Sequence, residues 1–225
     1  MDNALIIFLK YPEPGKVKTR LAKAIGNEKA CLIYKQLTEK VITNICQKNR
    51  EPYDIYVFFT PTDKEHAIKT WLTPVFDKNG GVNVYYKSQR DDSLGERMSL
   101  AFREILQELQ HKKGIIIGAD CPEIDASLID GAFEALREKD IVIGPAHDGG
   151  YYLFGMSKYI QDLFVDIDWS TDRVFRQTME KVYKKYLSCT ILKTLRDIDT
   201  WEDLCAYFSS SDISQLMDKR NKLKL

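Results

Sequence analysis

Two short, wholly apolar runs constrain this chain most: residues 4–9 (ALIIFL) and residues 114–118 (GIIIG). Neither alternates polar with apolar, so each reads as a strand buried on both faces, the pattern of a parallel sheet covered by helices. The second run stops at Asp120, and Pro122 biases Cys121 away from helical geometry. The chain therefore leaves the sheet there and keeps Asp120 at the strand's carboxyl end, the edge at which open α/β sheets bind ligands. A turn or a helix cap would use an aspartate in the same way, so its neighbours must decide.

The remaining segments alternate strand with helix. Asn27 can cap a helix running to about Lys48, with Ala30, Ile33, Leu37, Val41 and Ile45 on its core face. Residues 53–60 form a strand ended by Pro61, followed by a helix over 63–71 and a weaker strand over 82–86. Ser93 and Glu96 make a capping box ahead of Leu100, Ala101, Ile105 and Leu109. A helix over 127–139, strands at 141–144 and 151–155, an amphipathic helix reaching Tyr186, a strand at 189–192 and a final helix capped by Thr200 complete the chain. This order implies right-handed crossovers and an α/β fold with a Rossmann-like, mostly parallel, doubly wound sheet and helices on both faces.

No Gly/Ser/Pro-rich linker divides the 225 residues, so one domain over 1–225 is expected, with a frayed basic tail at 219–225. Lys plus Arg equals Asp plus Glu at 33 each, which argues against a nucleic-acid surface. The five cysteines are scattered, with no CxxC pair, and read as small core residues in a reducing compartment. No leader pattern and no apolar stretch of roughly 18 residues is present, so a cytoplasmic protein without a membrane partner is expected. Oligomeric state is left open.

Local charge carries the functional signal. Residues 10–21 (KYPEPGKVKTRL) are broken by two prolines and Gly15 and bring Lys10, Lys16, Lys18 and Arg20 to the end of the first strand. A solvated basic loop would look alike, but this position is where α/β proteins hold phosphate. Arg20 suits a bidentate phosphate contact, whereas Lys16 and Lys18 are point charges. Arg97 lies in a helix's first turn, which disfavours cations unless an anion is bound there. The Asp148–Gly149 step between two strands signals a hairpin, and Gly149 with Gly150 leaves a bare backbone open to a ligand. His147 reads as a surface loop residue, and the three histidines form no metal-spaced set.

Taken in order, KYPEPGKVKTRL, SLGERM, GADCP, GPAHDGGYYLFG and DIDTWEDL resemble the DUF2064 group of GT-A-fold transferases, some of whose members are named as glycosyltransferases of arsenosugar biosynthesis. More distantly the chain is similar to phospholactate and molybdenum-cofactor guanylyltransferases. The resemblance spans residues 5 to about 205 and implies a nucleotide bound over the strand ends, with Mg²⁺ or Mn²⁺ bridging its phosphates. On that basis Asp120 is a metal ligand, with Asp197 or Asp199 as the second. Lys10, Gly15, Lys16, Lys18, Arg20 and Arg97 are expected to hold the nucleotide phosphates, and Gly95, Gly149, Gly150 and Tyr151 to line the substrate pocket. Asp148 and Asp120 are the expected catalytic residues, with Asp148 orienting or deprotonating an acceptor hydroxyl. One departure stands out: Trp201 occupies the usual proline position of the last motif.

The expected reaction is glycosyl transfer from a nucleotide-diphospho-sugar to a small acceptor. The first loop, with a single glycine and two prolines, offers few bare amides for wrapping a triphosphate. The alternatives are a nucleotidyltransferase that uses a nucleoside triphosphate and releases pyrophosphate, and a non-catalytic nucleotide-binding domain. Two sources of carboxylate speak against the last.

Overall fold

The two apolar runs lie side by side at the centre of the sheet. In a computed structural model that describes residues 1–46, 52–79, 82–90, 93–209 and 212–213, β1 (Asn3–Lys10) pairs in parallel with β4 (Lys113–Gly118), Ile6 facing Ile116. On the other side of β1 lie β2 (Asp54–Thr60) and then β3 (Val84–Ser88), both parallel to it. β5 (Ile141–Pro145) and β6 (Tyr151–Met156) form the expected hairpin, and β6 inserts antiparallel between β4 and β5. With β7 (Cys189–Ile191) at the far edge, parallel to β5, the described residues form one seven-stranded sheet of order β3-β2-β1-β4-β6-β5-β7. Every strand but β6 points the same way, so the carboxyl ends of β1 to β5 share one edge.

Alternate residues of the central strands feed two cores. Leu5, Ile7, Val57, Ile115 and Ile117 pack beneath α2 (Asn27–Ile45), α3 (Glu65–Lys78) and α5 (Ala126–Ala135). Ala4, Ile6, Phe58 and Ile116 pack beneath α4 (Leu94–Arg103) and α6 (Val174–Lys184). Burial on both faces explains why these strands lack alternation. A third cluster joins α1 (Thr19–Ile25) and α7 (Trp201–Tyr207) to α2 through Leu21, Ile33, Leu37, Ile198 and Leu204.

Several boundaries differ from the sequence-based expectation. α1 was expected to be loop; its seven residues are too few to display a period, and burial of Leu21 against α2 holds it. Asn27 is the first residue of α2, and Gly26, at φ +83°, occupies the cap position. α3 runs through Pro74 because Ile68, Leu72 and Phe76 carry the buried stripe past it. Asp125 caps α5, its side chain accepting the Leu128 N–H at 2.8 Å. α6 begins only at Val174, which leaves residues 166–173 as an irregular strap. Cys31, Cys46 and Cys121 are buried as expected, but Cys205 is exposed. The expected end of the second helix at Lys48 and the tail at 219–225 lie outside the described residues. Among those residues no helix is long and apolar enough to cross a membrane.

One buried group links stability to pH. His111 packs edge-on to Tyr56, with Nε2 2.9 Å from the phenol oxygen, and burial holds its imidazole below the usual 6.5. Below 6.5 the unfolded chain therefore binds a proton that the folded one resists, so stability falls as pH drops through that range. Urea unfolding at about pH 7.5 and about pH 5.5 should show this loss, and His111→Gln, which keeps a polar partner for Tyr56, should flatten it.

Candidate active site

Three segments distant in sequence converge on the carboxyl edge of the sheet. The first is the loop after β1. The Lys10 N–H donates to the Tyr34 hydroxyl at 2.9 Å, and that hydroxyl donates to the Lys10 carbonyl at 3.1 Å, which anchors the loop's root. Burial pushes the Tyr34 phenol up to about 12. Pro14 and Gly15 then form a tight turn, with the Lys16 N–H donating to the Glu13 carbonyl at 3.0 Å and Gly15 at φ +79°. Such a turn needs glycine at its third position.

The loop ends at Lys18, in left-handed geometry at φ 47°, where α1 starts. Its side chain is only 3% exposed, and its ammonium donates to Asp120 Oδ2 at 2.7 Å and to Asp199 Oδ1. Burial by itself would depress that lysine's pKa; the two carboxylates overcome burial and hold it well above the ordinary value. Arg20, 63% exposed, has Nη1 3.9 Å from Asp199 Oδ2.

Asp120 stands two residues beyond β4, with Oδ1 folded over Gly118, where a Cβ would lie 2.9 Å away. Its carbonyl accepts the Ile198 N–H at 3.1 Å, while the Leu195 N–H donates to the Pro145 carbonyl. Those bonds lay residues 195–199 along the ends of β4 and β5, which delivers Asp197 and Asp199. The two acids meet different surroundings. Asp199 shares the Lys18 ammonium, whereas Asp197 Oδ1 is shut from solvent without a hydrogen-bond partner. Burial, reinforced by Asp120, Asp148 and Asp199 against Lys18, raises the Asp197 pKa well above the usual carboxylate range.

Two adjoining clefts share Asp199. One, of about 300 Å³, is lined by Lys10, Lys16, Lys18, Gln89, Arg97, Asp120 and Asp199, among others. Arg97 reaches it from the first turn of α4, its Nη1 donating to Gln89 Oε1 at 2.7 Å, and Gln89 is itself tied to the Phe58 carbonyl at 2.6 Å. The other, of about 220 Å³, is lined by Arg20, His147, Asp148, Arg196, Asp197, Asp199, Thr200 and Asp203. Asp148 is exposed there at the hairpin turn, and its Oδ1 accepts the Gly150 N–H at 2.9 Å.

Residues 44–171 match the model of a family described as "Uncharacterized protein conserved in bacteria (DUF2064)". The chain belongs to the DUF2064 family. A crystal structure from Desulfovibrio desulfuricans G20, provisionally described as a nucleotide-diphospho-sugar transferase, is 30% identical over 97% of each chain, with a TM-score of 0.83. Two further structures share the fold alone. The 4-diphosphocytidyl-2C-methyl-D-erythritol synthase of Anaerococcus prevotii is 14% identical over 91% of this chain and 93% of its own, with a TM-score of 0.58. The inositol-1-phosphate CTP transferase of T. maritima is 15% identical over 97% and 96%, with a TM-score of 0.54. No curated protein matches. The DUF2064 chain thus has the mixed α/β, GT-A-like fold expected of it.

Within this DUF2064 protein, the residues expected to bind phosphate divide. Lys10, Lys16, Lys18 and Arg97 line the larger cleft and Arg20 the smaller, while Gly15 lies in the turn beneath the loop. The four residues expected in a substrate pocket lie outside the linings of both clefts. A Cβ on Gly95 would come within 2.2 Å of Trp169 Nε1, and one on Gly149 would come within 2.2 Å of the Asp172 carbonyl oxygen. Both glycines therefore admit the strap at residues 166–173, and Gly150 closes the Asp148 turn. Tyr151 turns into the core against Phe154 and Trp169.

Sequence reasoning missed Gln89, Tyr34, His147, Arg196 and Asp203. Gln89 sits one residue beyond β3, so the strand-end rule could have found it. Asp203 completes a capping box with Thr200 and accepts from Arg196 at 2.8 Å. Trp201, at the family's proline position, leaves that cap intact and packs on the third cluster. If the glycine at 95 serves packing, Gly95→Ala should lower stability by about 1–3 kcal/mol. Chemical denaturation should also show that trimming the indole, Trp169→Leu, partly restores it in the double variant.

Proposed function

We propose that this protein transfers a glycosyl group from a nucleotide-diphospho-sugar to a small, polar acceptor. The observation that carries this reading is the pair of clefts with Asp199 as common wall. A group-transfer enzyme needs a donor site and an acceptor site side by side, and the two linings differ in the appropriate sense. The larger cleft holds the lysines and Arg97, suited to a diphosphate. The smaller has Asp148 at its rim and a lining made wholly of polar and charged side chains, suited to a hydroxyl-bearing acceptor. The 30% identity to the Desulfovibrio protein favours the same donor class.

The residues fit a divalent cation when a donor supplies the remaining oxygens. Asp120 and Asp199 already converge on one cation, the Lys18 ammonium, and offer the hard oxygen ligands that Mg²⁺ or Mn²⁺ takes. Among the described residues no set of three His, Cys, Asp or Glu forms a metal cage. Two carboxylates would suit a Mg²⁺ ion whose remaining ligands are substrate phosphates and water. Asp199 is the better second ligand than Asp197, whose burial favours the protonated acid. When bound, the metal would offset the charge that develops on the leaving diphosphate.

The chain's own groups supply the rest. Lys10, Lys16 and Arg97 bind and orient the diphosphate, and Gln89 fixes the guanidinium of Arg97. Asp148 takes the acceptor's hydroxyl proton as the new bond from acceptor oxygen to sugar carbon forms and the bond from that carbon to phosphate oxygen breaks. The nucleoside diphosphate leaves with the electron pair.

With a suitable nucleotide sugar, turnover should release a nucleoside diphosphate. Asp148→Ala should lower kcat by about 10²–10⁴-fold with little change in donor affinity. Pyrophosphate release from a nucleoside triphosphate, with no cleavage of any nucleotide sugar, would assign nucleotidyl transfer instead. Asp120→Asn keeps size and turn geometry, so calorimetry should find metal-dependent nucleotide binding lost while the unfolding transition persists.

A further inference from the structure

The sequence reading cast Lys18 as one more phosphate cation, yet its ammonium is spent on the two carboxylates assigned to the metal. Lys18 is 3% exposed, and Asp120 and Asp199 are 30% and 36% exposed. A buried ammonium is stable only while paired, and removal of its partners would leave an uncompensated charge. The oxygens that hold Lys18 cannot at the same time close on a divalent cation, because two like charges would then share one small site. Lys18 also lines the larger cleft, together with Lys10, Lys16 and Arg97. Rotation about its four-carbon stem would carry its ammonium from the carboxylates to an anion in that cleft without moving α1.

We propose that Lys18 is a built-in counter-cation, released from Asp120 and Asp199 when the donor's diphosphate takes its ammonium, so that divalent metal and nucleotide bind as a coupled pair. The exchange conserves pairing: the diphosphate receives Lys18, and the carboxylates receive the metal. Coupling of this kind is reciprocal, so nucleotide tightens metal binding by the factor by which metal tightens nucleotide binding. The inference rests on the metal role proposed above and adds to it the residue that makes metal binding conditional.

The test is Mn²⁺ binding, read by electron paramagnetic resonance of the free ion, with and without GDP or UDP. Wild-type protein should bind Mn²⁺ at least about tenfold more tightly with nucleotide than alone. Lys18→Met removes the competing cation while retaining much of the stem, and should bind Mn²⁺ alone at least about tenfold more tightly than wild type, with the nucleotide's enhancement reduced to what its phosphate oxygens contribute as ligands. Lys18→Arg keeps the charge and should stay closer to wild type. Equal Mn²⁺ affinity in wild type and Lys18→Met, or a wild type that binds Mn²⁺ alone as tightly as with nucleotide, would overturn the counter-cation role and leave the metal role standing. Absence of Mn²⁺ binding in wild type even with nucleotide would overturn both. Should Lys18→Met fail to fold, Lys18→Gln, which also removes the charge but keeps a polar side chain for the two carboxylates, carries the same expectation and the same overturning result.

Discussion

A parallel sheet buried on both faces keeps its charge at its ends, and here one lysine ties those ends together. Lys18 reaches from the loop after β1 to Asp120 beyond β4 and to Asp199 in the C-terminal segment, joining groups 102 and 181 residues away. Loss of that link would leave a desolvated ammonium on one side and two facing carboxylates on the other, both costly inside a protein. The backbone supports the same convergence, since Tyr34 anchors the loop's root and the Ile198 N–H docks the acidic segment on Asp120. Both clefts take their shape from this junction.

The site also depends on how differently two carboxylates two residues apart are treated. Asp199 faces Lys18 and Arg20, while Asp197 is turned toward the protein, with one oxygen unpartnered. The difference arises from what each side chain meets. Asp199 meets cations; Asp197 meets burial and other acids. A buried carboxylate perturbed in this way beside a cleft is a common mark of functional sites.

A second connection runs behind the clefts. The strap at residues 166–173 passes from Gly95, beneath the Trp169 indole, to Gly149, where the Phe175 N–H also donates to the Gly149 carbonyl at 2.9 Å. It therefore joins the helix that carries Arg97 to the turn that carries Asp148. The glycines it crosses, Gly95 and Gly149, allow this close approach of protein to protein.

The runs at residues 4–9 and 114–118, the capping box at Ser93 and the Asp148–Gly149 hairpin were legible in the sequence because each rests on local chemistry: burial on two faces, a side chain within reach of a helix's first amides, and positive φ at glycine. The same locality placed Asp120 at a strand end and the lysines in the first loop. Sequence spacing could not show that Lys18 turns inward while Arg20 faces a different cleft, that Asp199 rather than Asp197 shares a cation with Asp120, or that Gly95 and Tyr151 belong to packing. α1 escaped notice for a related reason, since seven residues display no period and what holds them is burial of Leu21, with Ala22 and Ile25 beside it, in the third cluster. The chain's own composition determined which segments are strands and where charge must collect. Which charges meet was decided only by tertiary structure, because pairing depends on distances between segments that the sheet, and not the sequence interval, brings together.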